Sequence, residues 1–138
     1  MTTVGEVFEI SMSILDNLND NGAAIYSDND EYLHRTPTIL RTLISEFKLL
    51  TGERGAVPEL EDEEDLLIGI DDVYALGALP YGLAAQLVLG EDSAIASFLQ
   101  QRYEELRLTY AAKNPSEGAE DIEDVYGGTW PHNNFGAW

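Results

Sequence analysis

Cysteine is absent from this chain, which excludes a disulfide framework, a thiol nucleophile and any thiolate-bound metal centre. Basic residues are scarce as well. Seven Lys and Arg stand against 26 Asp and Glu, for a formal net charge of −19 and a pI near 4.1. A surface of that sign repels nucleic acid and anionic lipid at long range, so phosphate-backbone recognition and polybasic membrane attachment are disfavoured. It also serves solubility. No apolar run approaches the ~20 residues of a membrane span, and Met1 to Val4 lack the basic and apolar regions of a signal peptide. The expectation is a protein made and used in the cytosol, with no membrane partner.

Catalytic raw material is equally thin. There is no G-x-S-x-G, P-loop or G-x-G-x-x-G. The two histidines, His34 and His132, fall on a helix surface and near the C-terminus, with no nucleophile spaced beside them. Carboxylates are plentiful, and clustered oxygens suit calcium or magnesium. However, Asn17, Asn19, Asn21 and Gly22 lack the leading Asp of a calcium loop, and Asp28 stands where a bidentate Glu is wanted. The consecutive Glu61 to Asp65 run reads as a solvated loop, because neighbours along one segment rarely converge on one ion. No enzymatic activity, cofactor or metal is expected.

What the 138 residues do contain is helical periodicity and a 44% hydrophobic fraction, enough for one compact core. Val4, Val7, Phe8, Ile10, Ser11, Ile14, Leu15 and Leu18 fall on one helix face, with Thr3 and Glu6 as a capping box. Asn19 to Gly22 end that helix. A second, capped by Ser27 or Asp28, carries Leu33, Leu40, Leu43, Ile44, Phe47 and Leu50. Pro37 either kinks it or forces a restart at Thr36, and the phase of Leu33 with Leu40 favours one kinked helix. From Thr51 to Asp65 the composition turns to Gly, Pro and acid, an exposed connector. A third helix, about Asp71 to Leu89, is apolar on most sides through Val73, Leu76, Leu79, Leu83, Leu87 and Val88, as expected at the centre of a bundle. Pro80 and Gly82 should bend it. The fourth, capped by Asp92 or Ser93 and ending near Lys113, should bury Ile95, Phe98, Leu99, Tyr103 and Leu106.

The fold class expected is therefore all-α: a bundle of about four helices with a kinked central helix and an extended C-terminal arm. Residues 1–113 form the bundle domain, and 114–138 form an acidic, aromatic-containing arm with one short extended piece around Asp124 to Tyr126. The arm holds Tyr126, Trp130, Phe135 and Trp138, including both tryptophans of the chain. Such side chains anchor protein interfaces, burying large area at low entropy cost. The four are the candidate interface residues, facing either a neighbouring subunit or partner, or the chain's own bundle.

The run Ala78-Leu79-Pro80-Tyr81-Gly82-Leu83-Ala84-Ala85, preceded by Asp71-Asp72 and followed by Glu91-Asp92, Phe98 and Gln101-Arg102-Tyr103-Glu104-Glu105-Leu106, is a familiar pattern. With the string Glu120 to Gly128 and Trp138, it resembles head-tail connector, or adaptor, proteins of tailed phages and prophages of Gram-positive bacteria. The resemblance spans most of the chain and is weakest over Thr51 to Asp65. It implies a helical bundle assembling as a homo-oligomeric ring, usually of about twelve copies, beneath the phage portal protein. Extended termini or loops would grip the portal, tail-side neck proteins or adjacent subunits. The location implied is the head-tail junction of the virion, after synthesis in the bacterial host cytoplasm. No sequence-specific nucleic acid partner is implied, although DNA passes through such a ring, and acidic walls would keep the duplex from sticking. Two rivals come from other classes. One is an acidic DNA-mimic inhibitor of a nucleic-acid-binding enzyme, which requires carboxylates striped along one face. The other is a small metal-dependent enzyme or regulator, which requires a stabilising divalent ion.

Overall fold

The computed structural model of the protein describes residues 1–18 and 29–113, which form five helices: α1 (Val4–Leu18), α2 (Asn29–Thr51), α3 (Asp72–Gly77), α4 (Leu79–Val88) and α5 (Ser93–Lys113). Counting α3 and α4 as one bent element, this is a four-helix arrangement with the bend expected in its central member.

α4 is the hub, packed on α5 most extensively and then on α1 and α2. Eight of its ten residues are buried, among them Leu79, Leu83, Leu87 and Val88, because a helix apolar on every side loses nothing by being surrounded. The bend falls at Ala78, which is at once the C-cap of α3 and the N-cap of α4, with φ −115° and ψ −48°. Pro80 sits in the first turn of α4, where no intrahelical N–H is needed, so it starts a helix rather than breaking one. Ala78 and Tyr81 close the junction, Ala78 N donating to Tyr74 O (2.9 Å) and Tyr81 N to Ala78 O (3.1 Å).

α1 begins as its capping box dictates: Glu6 N donates to Thr3 Oγ1 (3.2 Å) and Thr3 N to Glu6 Oε1 (2.9 Å). Val4, Val7, Ser11 and Leu15 are buried on its inner face. Ser11 Oγ reaches both Val7 O (2.9 Å) and Pro80 O (3.0 Å), which ties α1 to the first turn of α4 with a buried polar contact. α2 runs unbroken through Pro37, so Thr36 is not a cap. Its buried hydroxyl instead donates to Tyr32 O of the preceding turn (2.7 Å). At the far end, Gly52 has φ 78° and Glu53 N donates to Lys48 O (3.0 Å). That left-handed residue followed by a bond back five positions is a Schellman stop.

The connector is more than an exposed link. Leu60, Leu67 and Ile70 enter the core, and Thr51 is buried. Within the acidic run, Asp65 O accepts from Val4 N (3.0 Å) and Glu63 O from Gly5 N (2.9 Å). These carbonyls satisfy donors that α1 would otherwise leave open at its N-terminus. Leu66 pairs with Thr3 in an isolated antiparallel bridge, Leu67 N donates to Thr2 O (2.9 Å), and Thr2 Oγ1 donates to Asp72 Oδ1 (2.8 Å). Glu61 to Glu64 still expose their side chains, so the run offers charge to solvent and backbone to α1.

Four residues assigned to apolar faces from periodicity lie at the surface instead: Val73 is 74%, Phe98 58%, Leu50 45% and Leu76 41% exposed, Leu50 because it falls in the last turn of α2. The Ala78 break interrupts the register, so α3 does not continue the all-round burial of α4. Conversely, Tyr32 is buried and its hydroxyl donates to Glu91, linking α2 to the turn before α5.

Candidate docking surface

Four aromatic rings gather where α2, α3 and α5 meet. Phe47 stacks on Tyr74, with ring centroids 4.1 Å apart and planes 24° off parallel. Tyr110 tilts against both, at 5.5 Å from Phe47 and 5.1 Å from Tyr74. Tyr103 lies 6.4 Å from Tyr74, and their hydroxyls are 2.7 Å apart. The Arg107 guanidinium covers the Tyr103 ring at 5.4 Å. Offset and tilted pairs of this kind contribute about 0.5–1.5 kcal/mol each beyond the area they bury. They also make the aromatic corner a rigid base for whatever lies outside it.

Burial, foremost, pushes the phenols of Tyr74 and Tyr103 above their ordinary range. A phenol held protonated in this way is a poor base or nucleophile near neutral pH, so the pair is a structural hydrogen bond. Tyr110 is pushed up to about 12, first by desolvation and then by its bond to Asp71.

Asp71 is the hinge between that corner and the surface. Its Oδ1 accepts from Val73 N (3.0 Å) as the N-cap of α3, while Oδ2 accepts from the Tyr110 hydroxyl (2.8 Å). The Val73 N–H and then the Tyr110 hydroxyl hold the Asp71 carboxyl below its ordinary 3.8. Because the folded-state value is depressed, the clasp contributes stability above the ordinary carboxylate pKa and loses it as pH falls through the lowered value. Asp71→Ala is therefore expected to lower the melting temperature at neutral pH, by an amount that shrinks once acid has titrated the wild-type carboxyl. Paired thermal melts across the acid range check this, and a pH-independent difference would contradict it. In alkali the sign reverses for Tyr110: its contribution is complete below 10 and is lost as pH rises towards about 12.

Outside the corner, Asp71, Val73, Tyr74, Gly77 and Ala78 on one side and Leu106, Thr109, Tyr110 and Lys113 on the other enclose a groove of about 370 Å³. Pockets of ~300–1,000 Å³ commonly accept small-molecule-sized groups. Val73 stands exposed at its rim, and Leu76, partly exposed, follows on α3. Sequence reasoning missed this surface. Asp71 was visible as a helix start, but nothing in spacing announces a partner on α5 39 residues away.

The four interface candidates, Tyr126, Trp130, Phe135 and Trp138, and the whole 114–138 segment lie outside the described residues. So do His132 and most of the loop read against a calcium motif. His34 is exposed on α2. Among the described residues, no group of three His, Asp or Glu could hold a metal ion, and no helix is long and apolar enough to cross a membrane. Asp65 spends its carboxylate on local turns, accepting from Glu61 N (2.6 Å) and Asp62 N (3.0 Å). Compared with family models, curated proteins and solved structures, the chain matches none of them.

Proposed function

We propose that this protein is a structural component of a tailed phage, a head-tail connector or adaptor that docks on the portal ring through its C-terminal arm and helps join capsid to tail or retain packaged DNA. The observation that carries the proposal is a division of labour along the chain. Residues 1–113 close an aromatic and aliphatic core without a single tryptophan. Both tryptophans follow the end of α5, in a segment carrying five of the acids. A bundle with a core of its own, continued by an anchor-bearing extension, suits a subunit that must be rigid in itself and adhesive at one end.

Further support comes from where the resemblance maps. Ala78 to Ala85 is the junction and first half of α4, the element that α1, α2 and α5 surround. Gln101 to Leu106 is the middle of α5. The first of these runs thus lies at the packing centre, and the second contributes the buried Tyr103 while Gln101, Arg102, Glu104 and Glu105 stay exposed. The protein's acidic surface suits the wall of a DNA passage, where attraction to the duplex would be a hindrance.

The test is to mix the purified protein with the portal ring of the same phage genome and weigh the product by native mass spectrometry. A complex with one subunit per portal subunit is expected, assembled as a homo-oligomeric ring. Absence of a complex at high micromolar concentration would overturn the reading. Retention on a basic nuclease instead would favour the DNA-mimic alternative.

A further inference from the structure

The α3–α5 groove and the C-terminal arm share an address. Lys113, the last residue of α5, lines the groove, so the chain continues into 114–138 from the groove's own end. The walls are largely apolar side chains over an aromatic base, and the space at Gly77 is open: a Cβ built there meets no atom within 4 Å. The groove therefore has open space beside the exposed Gly77 and a second exposed lining residue, the apolar Val73.

We propose that in the isolated subunit this groove is occupied by the chain's own arm, through Trp130 or Trp138. Three observations favour that occupant. First, the reach is ample. From Leu106 to Lys113 the groove wall spans about 10 Å at ~1.5 Å per residue, whereas a coil as long as the sequence separation of Trp130 from Lys113 would cover roughly 20 Å root-mean-square. The tether opens on Asn114 and Pro115, residue types that end helices and allow the chain to reverse. Second, charge sorts the arm. Its acids stop at Asp124, and 125–138 contains no Asp or Glu, so the side chains of this end can approach Asp71 without like-charge repulsion. Third, tethering supplies an effective concentration on the order of millimolar, above what a second copy reaches in dilute solution. The inference does not rest on the connector reading. If that reading is also right, the contact must open before the arm grips a neighbour.

Trp130 and Trp138 are the only tryptophans, so selectively excited tryptophan fluorescence reports the arm alone. Emission of the full chain is expected to be blue-shifted from that of the urea-unfolded protein and to stay so on dilution into the nanomolar range. Val73→Glu places a charge at the rim, and Gly77→Leu fills the open space beside position 77. Each should move the emission to the unfolded position with unchanged far-ultraviolet circular dichroism, since Val73 is exposed and Gly77 is unobstructed. Three results would each overturn the proposal: emission at the unfolded position in the full chain, a blue shift that survives both substitutions, or one that disappears on dilution, which would assign the groove to a second copy. Portal binding is a separate readout, so failure here leaves the connector reading standing, and the reverse also holds.

Discussion

A chain ending at Lys113 is expected to fold with a thermal midpoint within a few degrees of the full protein, equivalent to about 1 kcal/mol, and to lose the portal. The core supports the first half of that expectation. Leu15, Leu40, Ile44, Tyr74, Leu83, Leu99 and Tyr103 are fully buried and belong to one core cluster contributed by α1 to α5. The second half follows from where the anchors lie. Two tryptophans at about 2 kcal/mol each amount to roughly 4 kcal/mol, about a thousandfold in Kd. Circular dichroism melts and a portal titration on the same truncated sample measure both quantities. A truncated chain that unfolds would place the arm in the core. One that binds the portal at full strength would remove the arm from the interface.

Helices were legible in this sequence wherever one face differed from the other. α1 is the clearest instance: Thr3 and Glu6 announce the cap, the apolar period announces the face, and both appear with the bonds they imply. α4 was legible for the opposite reason, as a helix with no polar face has only the centre of a bundle to occupy. Legibility failed at α3. Val73 and Leu76 share the hydrophobicity of their neighbours across Ala78, and composition cannot reveal that one helix ends and another begins there. Phe98 failed in a simpler way, since an isolated exposed aromatic has no signature before packing is known.

The acidic run marks a second boundary of what side-chain chemistry can convey. Its carboxylates signalled solvent exposure, and Glu61 to Glu64 are exposed. Its carbonyls, which serve the N-terminus of α1, belong to the backbone and would look the same in any sequence. The groove was hidden for a related reason. It exists because α3 and α5 are clasped by Asp71 and Tyr110, a pairing fixed by tertiary structure. By contrast, the interface candidates were conspicuous because tryptophan is rare here and confined to one stretch.

Gly82→Val is expected to cost more than about 3 kcal/mol, a large share of the ~5–15 kcal/mol that holds a domain together. A Cβ at Gly82 would stand 3.1 Å from Leu43 Cδ1 and from both Cδ atoms of Tyr103. Alanine already sets two effects against each other. It gains roughly 1 kcal/mol of helix propensity over glycine and incurs the ~1–3 kcal/mol of an overpacked core, so Gly82→Ala should be mildly destabilising. Valine gains less propensity and adds two further methyl groups, and the neighbours differ in their ability to yield. Leu43 can rotate. Tyr103 is pinned: its hydroxyl is 2.7 Å from that of Tyr74, and Arg107 lies over its ring. Relief must then come from α4 moving away from α5, its most extensive partner. Urea unfolding of Gly82→Val, Tyr103→Leu and the double variant measures this directly. The two costs should be strongly non-additive, with the double variant more stable than their sum because the smaller side chain vacates the space valine needs. A Gly82→Val protein within 1 kcal/mol of wild type would show that the α4–α5 contact is looser than its geometry states.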